Sequence, residues 1–245
     1  MIFQEALIQR IIIISIFQTW PIFYQLFLAY KLLNRVKNPL SYMLGSYFIF
    51  NAIAFIFPFP SIIFINTPLA YCFMFLTWFF IIFSQGFLVI FSWELKSLSK
   101  PLRFKKIIPW IGLNLIFTSY VIWAGVLFQG IKYDASTFWI PTFSWEFAIT
   151  SWIVLSLYLV LPQSIFAFKL LKSFQGEIIK KRILKYLISV FLEYFLTFML
   201  ILYNTWTDNQ IFRLIYLFII SFPLGILAAY LIYKSLIKEL DKKVN

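Results

Sequence analysis

Leu161–Ser173 reads Leu-Pro-Gln-Ser-Ile-Phe-Ala-Phe-Lys-Leu-Leu-Lys-Ser, and Gln25–Arg35 reads Gln-Leu-Phe-Leu-Ala-Tyr-Lys-Leu-Leu-Asn-Arg. Gln, Ala, Lys, Leu and Leu recur in register, 138 positions apart. The offset continues beyond this stretch. Asn66-Thr67 falls on Asn204-Thr205, Phe80-Ile81-Ile82 on Phe218-Ile219-Ile220, and Lys96-Ser97-Leu98 on Lys234-Ser235-Leu236. Over 25–100 against 163–238, 17 of 76 ungapped positions are identical, where roughly six would be expected by chance in so biased a composition, so an internal repeat is the reading.

What is repeated is membrane-like. Of the 245 residues, 62% are hydrophobic and only 12% charged, against about half and a quarter in soluble domains. A helix must offer about 20 mainly apolar residues to cross ~30 Å of hydrocarbon with its own backbone satisfied. Seven segments meet this, at about 6–31, 40–59, 69–95, 107–129, 147–171, 183–206 and 210–234. The first lacks a basic leader and a small-residue cleavage site and runs too long for a signal peptide, so it is read as a span.

Three spans reverse the direction in which a chain enters the bilayer, and a fourth restores it. The predicted fold is therefore all-α, one seven-helix transmembrane domain in a 3+1+3 parallel repeat. Its copies cover about 6–100 and 147–238, with a linker helix at about 107–129. Of the 21 basic residues, 18 fall between or after spans on one side, leaving Arg10, Lys132 and Arg213 on the other. The positive-inside rule then places the N-terminus outside and the C-terminus inside. Topology thus accounts for the net charge of +12 without nucleic acid, and the basic side is expected to meet anionic headgroups of the inner leaflet.

The chain has no His and one Cys, Cys72, which excludes His-ligated haem, His-containing zinc sites, His-based triads and an internal disulfide. No cofactor is expected. With short loops and a short tail after the last span, any chemistry or recognition is expected within the bundle or at its rims. No paired carboxylates, metal set or nucleophile–base pair is visible, so the protein is not expected to be an enzyme.

Pro162-Gln163 in the inner half of a span, followed by Lys169 and Lys172-Ser173, resembles the PQ-loop group of seven-helix membrane proteins. The first copy carries Tyr24-Gln25 at the corresponding positions. The resemblance implies seven spans in a three-plus-one-plus-three repeat, an outside N-terminus and carriage of a small solute such as a sugar or amino acid. Lys31–Gly45 is similar in texture to the sensor regions of seven-span histidine kinases. Retinal Schiff-base chemistry is excluded, because no Lys occurs between Arg213 and Lys234.

Glu193 is the sharpest candidate for function. A carboxylate near the middle of a span costs from ~2.5 kcal/mol upward, so it is expected to face the bundle interior as a substrate or proton site, or as a structural carboxyl bonded to Asn51, Tyr194 or Thr197. Gln163, Gln25, Asn51, Gln85 and Asn114 are in-span amides, able either to tie helices together or to line a polar cavity. Pro21, Pro162 and Pro223 interrupt spans and are candidate hinges. Arg213 and Asp208 at the outer end of the last span read as snorkelling and rim pairing.

Three roles follow. The first is a transporter of a small polar solute, with a hydrated midplane cavity between the repeats that contains Glu193. The second is a sensor or receptor, with a closed core, an outer pocket lined by the 131–146 loop, and basic inner loops that signal to a partner. The third is a subunit of a larger, possibly organellar, membrane complex, or a homo-oligomer, with flat apolar faces covered by other chains. The expected location is a cell membrane or an organellar inner membrane.

Overall fold

Asn38 and Pro39 show how local sequence starts the helices. The Asn38 side chain accepts a hydrogen bond from the Ser41 amide at 2.7 Å, and Pro39 enters the first turn, where its missing N–H costs nothing. Ser144 and Asn209 cap in the same way, accepting from Phe147 and Phe212 amides at 3.2 and 2.9 Å. The computed structural model of the chain describes residues 11–12, 15, 18–35, 38–65, 67–96, 104–134, 137, 140–174 and 176–241.

Among these residues the helices are α1 (Thr19–Arg35), α2 (Pro39–Ile63), α3 (Pro68–Lys96), α4 (Phe104–Leu127), α5 (Trp145–Ser173), α6 (Glu177–Thr205) and α7 (Gln210–Ser235, helical on to Asp241). The six from α2 to α7 are long and apolar enough to cross a membrane, the construction of an integral multi-pass membrane protein. The first expected span, about 6–31, begins outside the described residues, and its described part is α1. The first copy of the repeat lies partly outside them for the same reason, as do Asn66, Arg10 and most of the 96–106 loop.

The expected spans 147–171 and 183–206 leave 172–182 to be read as an inner loop, and the structure differs there. Helix α6 begins at Glu177, so Lys180, Lys181, Arg182 and Lys185 are helical, and only residues 174–176 join α5 to α6. Hydropathy ends a span at the first charges, whereas Lys and Arg are good helix formers and Glu177 favours a helix N-terminus.

Helix α3 is the hub. It packs against α2, α4, α5 and α6, and residues 81–92 are buried without a break, as an all-round apolar helix requires. Helix α2 also packs on α1, α6 on α7, and α7 returns to α1. The outer faces of α4, α5 and α7 leave Ile116, Leu157 and Ile219 about two-thirds exposed. Apolar faces of that extent suit a hydrocarbon solvent.

The two echoing segments bury matching positions: Gln25, Ala29 and Leu32 in α1, and Gln163, Ala167 and Leu170 in α5. The i, i+4, i+7 spacing sets all three on one helix face, while Lys31 and Lys169 are exposed in both.

Each candidate hinge proline has widened helix before it. A π-helical turn, Ser156–Val160, precedes Pro162, another, Tyr216–Ser221, precedes Pro223, and Ser15 and Gln18 are π-helical ahead of Pro21. Proline removes one N–H and its ring pushes away the carbonyl four residues back, and a widened turn accommodates both.

At one end of the bundle, β1 (Ile131–Lys132) pairs antiparallel with β2 (Thr142–Phe143), Ile131 opposite Phe143. Helix α4 enters this hairpin through Gln129 and Gly130, whose amides return to Val126 and Gly125 carbonyls. Gln129 has φ 45°, the one positive φ among the described non-glycine residues. It occupies the left-handed position of a helix-ending motif that normally takes Gly.

Candidate functional site

The in-span candidates are buried, but they fall into separate groups. Gln163 Nε2 on α5 donates to Ser92 Oγ on α3 at 2.8 Å. Ser92 Oγ lies 2.9 Å from the Tyr186 hydroxyl on α6, which also donates to the Leu88 carbonyl at 3.3 Å. Three helices are thereby tied at one depth by groups with no water to compete for them. Asn114 on α4 makes a second tie. Its Nδ2 donates to the Phe83 carbonyl at 2.8 Å, and its Oδ1 accepts from the Tyr158 hydroxyl of α5. Gly86 permits this approach, because a Cβ there would overlap the Asn114 side chain.

Glu193, on α6, is 6% exposed. The Tyr47 hydroxyl stands beside its carboxyl, with Asn51 near the same hydroxyl. Glu193 Oε1 and Tyr47 Oη have no hydrogen-bond partner among the described residues, and neither have Gln25 Oε1, Gln85 Oε1 and Gln163 Oε1. Thr197 donates to the Glu193 backbone carbonyl at 3.1 Å, not to its carboxyl. The expected neighbour Asn51 is thus near, but Tyr47 is the first contact. A Tyr and an Asn four residues apart on an otherwise apolar α2 form one polar stripe, and that spacing was the available signal.

A ligand-sized opening lies at the hairpin end. A cavity of about 620 Å³ lies between the hairpin and the α6–α7 turn, within the ~300–1,000 Å³ usual for small-molecule sites. The hairpin side is formed by Gln129, Lys132, Thr137, Ile140, Thr142, Phe143 and Ser144, and the helical side by Thr207, Asp208 and Arg213. The Arg213 guanidinium lies over the Tyr203 ring at 4.7 Å and donates from Nη2 to the Tyr203 hydroxyl at 3.3 Å. The expected rim pair between Asp208 and Arg213 is not what holds this arginine. Tyr203 holds it instead, a stacking that its flat, weakly hydrated cation suits.

Loop construction keeps this wall in shape. Ser144 N donates to the Gly130 carbonyl at 2.8 Å. Thr137 Oγ1 donates to the Asp134 carbonyl and accepts from the Asp134 amide at 3.0 and 3.1 Å. Phe143 packs edge-on against Trp78 of α3 and Phe147 of α5 at 4.8 and 5.0 Å, anchoring β2 to the core. Sequence reading singled out the loop with its Lys132, and Arg213, but not their convergence, because turn residues carry no periodic signal to show which ones meet.

Among the described residues, no three metal-ligating side chains cluster. No protein-family model matches the chain, and no curated protein matches it either.

Proposed function

We propose that the chain is a seven-helix membrane sensor that takes a small polar solute in the hairpin-end cavity and passes the event through α7. The carrying observation is the cavity itself. It combines ligand-sized volume, charged and hydroxyl-bearing walls, and a floor packed on the central helix. An outer pocket lined by the 131–146 loop is what the sensor reading expects. By the positive-inside rule the cavity faces outward and the lysine-rich end faces inward.

Helix α7 supplies the route. Arg213 lines the cavity and lies three residues before the π-helical turn Tyr216–Ser221. The Tyr203 ring beneath it contacts Tyr216 at 5.0 Å. A ligand that draws on Arg213 acts on α7 where its hydrogen-bond ladder is already interrupted, and α7 continues to Lys234 at the basic end.

A transporter resembling the PQ-loop group is the second reading. It is favoured by the unpartnered, buried Glu193 carboxyl oxygen and by the burial of Gln25 and Gln163 at matching positions. The packing order supports the parallel repeat on which that reading depends. A twofold axis that exchanges α1 with α5 and α3 with α7 maps α1–α2, α2–α3 and α3–α5 onto α5–α6, α6–α7 and α7–α1, all of which are packed pairs.

One experiment separates the readings. A fluorophore is placed at Ser173→Cys in a Cys72→Ser background, the protein is reconstituted in liposomes, and a mixture of organic acids, amino acids, sugars and polyols is added to the hairpin side. A sensor shifts the fluorescence at Ser173 while the liposome interior gains no solute. Accumulation inside, or no spectral change, overturns the sensor reading.

A further inference from the structure

We infer that the hairpin-end cavity is a site for a small solute with a single oxyanion, a carboxylate or phosphate, held between Arg213 and Lys132. The inference rests on the sensor reading above and names its ligand class. Among the described residues, two cations and one carboxylate, Asp208, line the cavity. Its walls therefore carry one net positive charge, which one anionic group on the ligand would balance.

Two details, both at Arg213, favour this class over a neutral solute. Tyr203, rather than a carboxylate, is what holds Arg213, so a ligand anion need not displace an internal ion pair there. Tyr203 fixes the guanidinium by stacking and by binding Nη2. That leaves the remaining N–H groups presented as a pre-set fork, which loses little freedom when an oxyanion arrives. The hydroxyls of Thr142 and Thr207 and the Gln129 amide add neutral hydrogen-bonding groups, and Asp208 can accept from a hydroxyl or ammonium on the same solute.

Gln129 adds a lining group from the position that ends α4. A Gln held at φ 45° carries strain that Gly would not, and such outliers gather where a side chain must point to a particular place. Gln129 lines the cavity from that strained position. An oxyanion could come from a soluble metabolite or from a lipid headgroup at the membrane rim, so the test separates the two sources.

Wild-type protein in phosphatidylcholine nanodiscs is melted with D,L-lactate, D-glycerate or glycerol 3-phosphate, and with the neutral counterparts lactamide and glycerol. The expected result is a rise in melting temperature with at least one anion and with neither neutral compound. Arg213→Met is expected to abolish the rise, and Lys132→Met to weaken apparent affinity by about tenfold, the usual worth of one charge-assisted contact. If phosphatidylglycerol in the nanodisc raises the melting temperature and suppresses the solute response, the oxyanion is a headgroup and the class stands. Equal shifts with lactamide or glycerol, abolished by the cavity-filling Thr142→Trp, overturn the oxyanion class while leaving the pocket and the sensor reading in place. If neither the anions nor the anionic lipid has any effect on wild type, the class is overturned. If the Ser173 reporter is then also silent to the full solute mixture, the sensor reading falls with it.

Discussion

The middle of the bundle and its hairpin end both concentrate polar side chains, but they use them differently. At mid-bundle, Gln163, Ser92, Tyr186, Asn114 and Tyr158 satisfy one another across helices. At the hairpin end, Lys132, Asp208 and Arg213 face a cavity of about 620 Å³. A polar group in hydrocarbon must find a protein partner or remain unsatisfied, so the mid-bundle groups act first as joints. A polar group at the rim has water available and can be kept in reserve for a ligand. Polar residues in a membrane chain are therefore read by what they face, and Glu193, with Oε1 unpartnered, stands with Gln25 and Gln85 as an exception to the joint pattern.

That contrast makes predictions: mid-bundle changes should move stability and spare binding, and rim changes should do the reverse. The largest effect is expected at Gly86→Ala, where the added Cβ overlaps Asn114. Losing that packing and the Asn114 bonds should cost about 2–4 kcal/mol, read as lowered thermal stability in detergent. Gln163→Leu removes one donor to Ser92 and should cost about 1 kcal/mol, with solute response unchanged. Glu193→Leu should shift stability by less than about 1 kcal/mol, because losing a buried oxygen without a partner offsets leaving the Tyr47 hydroxyl without its neighbouring carboxyl. A clear loss there would make Glu193 a structural joint and erase the exception.

The smallest shift is expected at Gln129→Gly. Relief of the left-handed backbone, partly offset by a freer unfolded chain, should stabilise by roughly 0.5–1 kcal/mol, while solute affinity falls because the amide is gone. If stability and affinity rise together, Gln129 plays no part in recognition.

Much of the helical layout was legible without coordinates. Expected spans such as 69–95 and 147–171 lie within a few residues of Pro68–Lys96 and Trp145–Ser173, because a membrane demands long apolar runs. Candidate hinges were legible for a similar reason: proline cannot complete a helix, and widened turns precede Pro162 and Pro223. The α5–α6 loop was overextended, because charge was read as loop where Lys and Arg also suit helix.

The site was legible only in fragments. Arg213, Lys132 and the 131–146 loop stood out, but each had an ordinary rim explanation, and Thr207 and Gln129 gave no signal in a linear reading. Glu193 was correctly expected to be buried, whereas its nearest neighbour, Tyr47, lies on another helix, 146 residues earlier. By itself the sequence determined the solvent, the helices and their breaks, because those depend on runs of residues and on backbone chemistry. Only the tertiary structure decided that Gln163 is a joint and that Lys132 and Arg213 share a cavity, because both depend on which faces of distant segments are brought together.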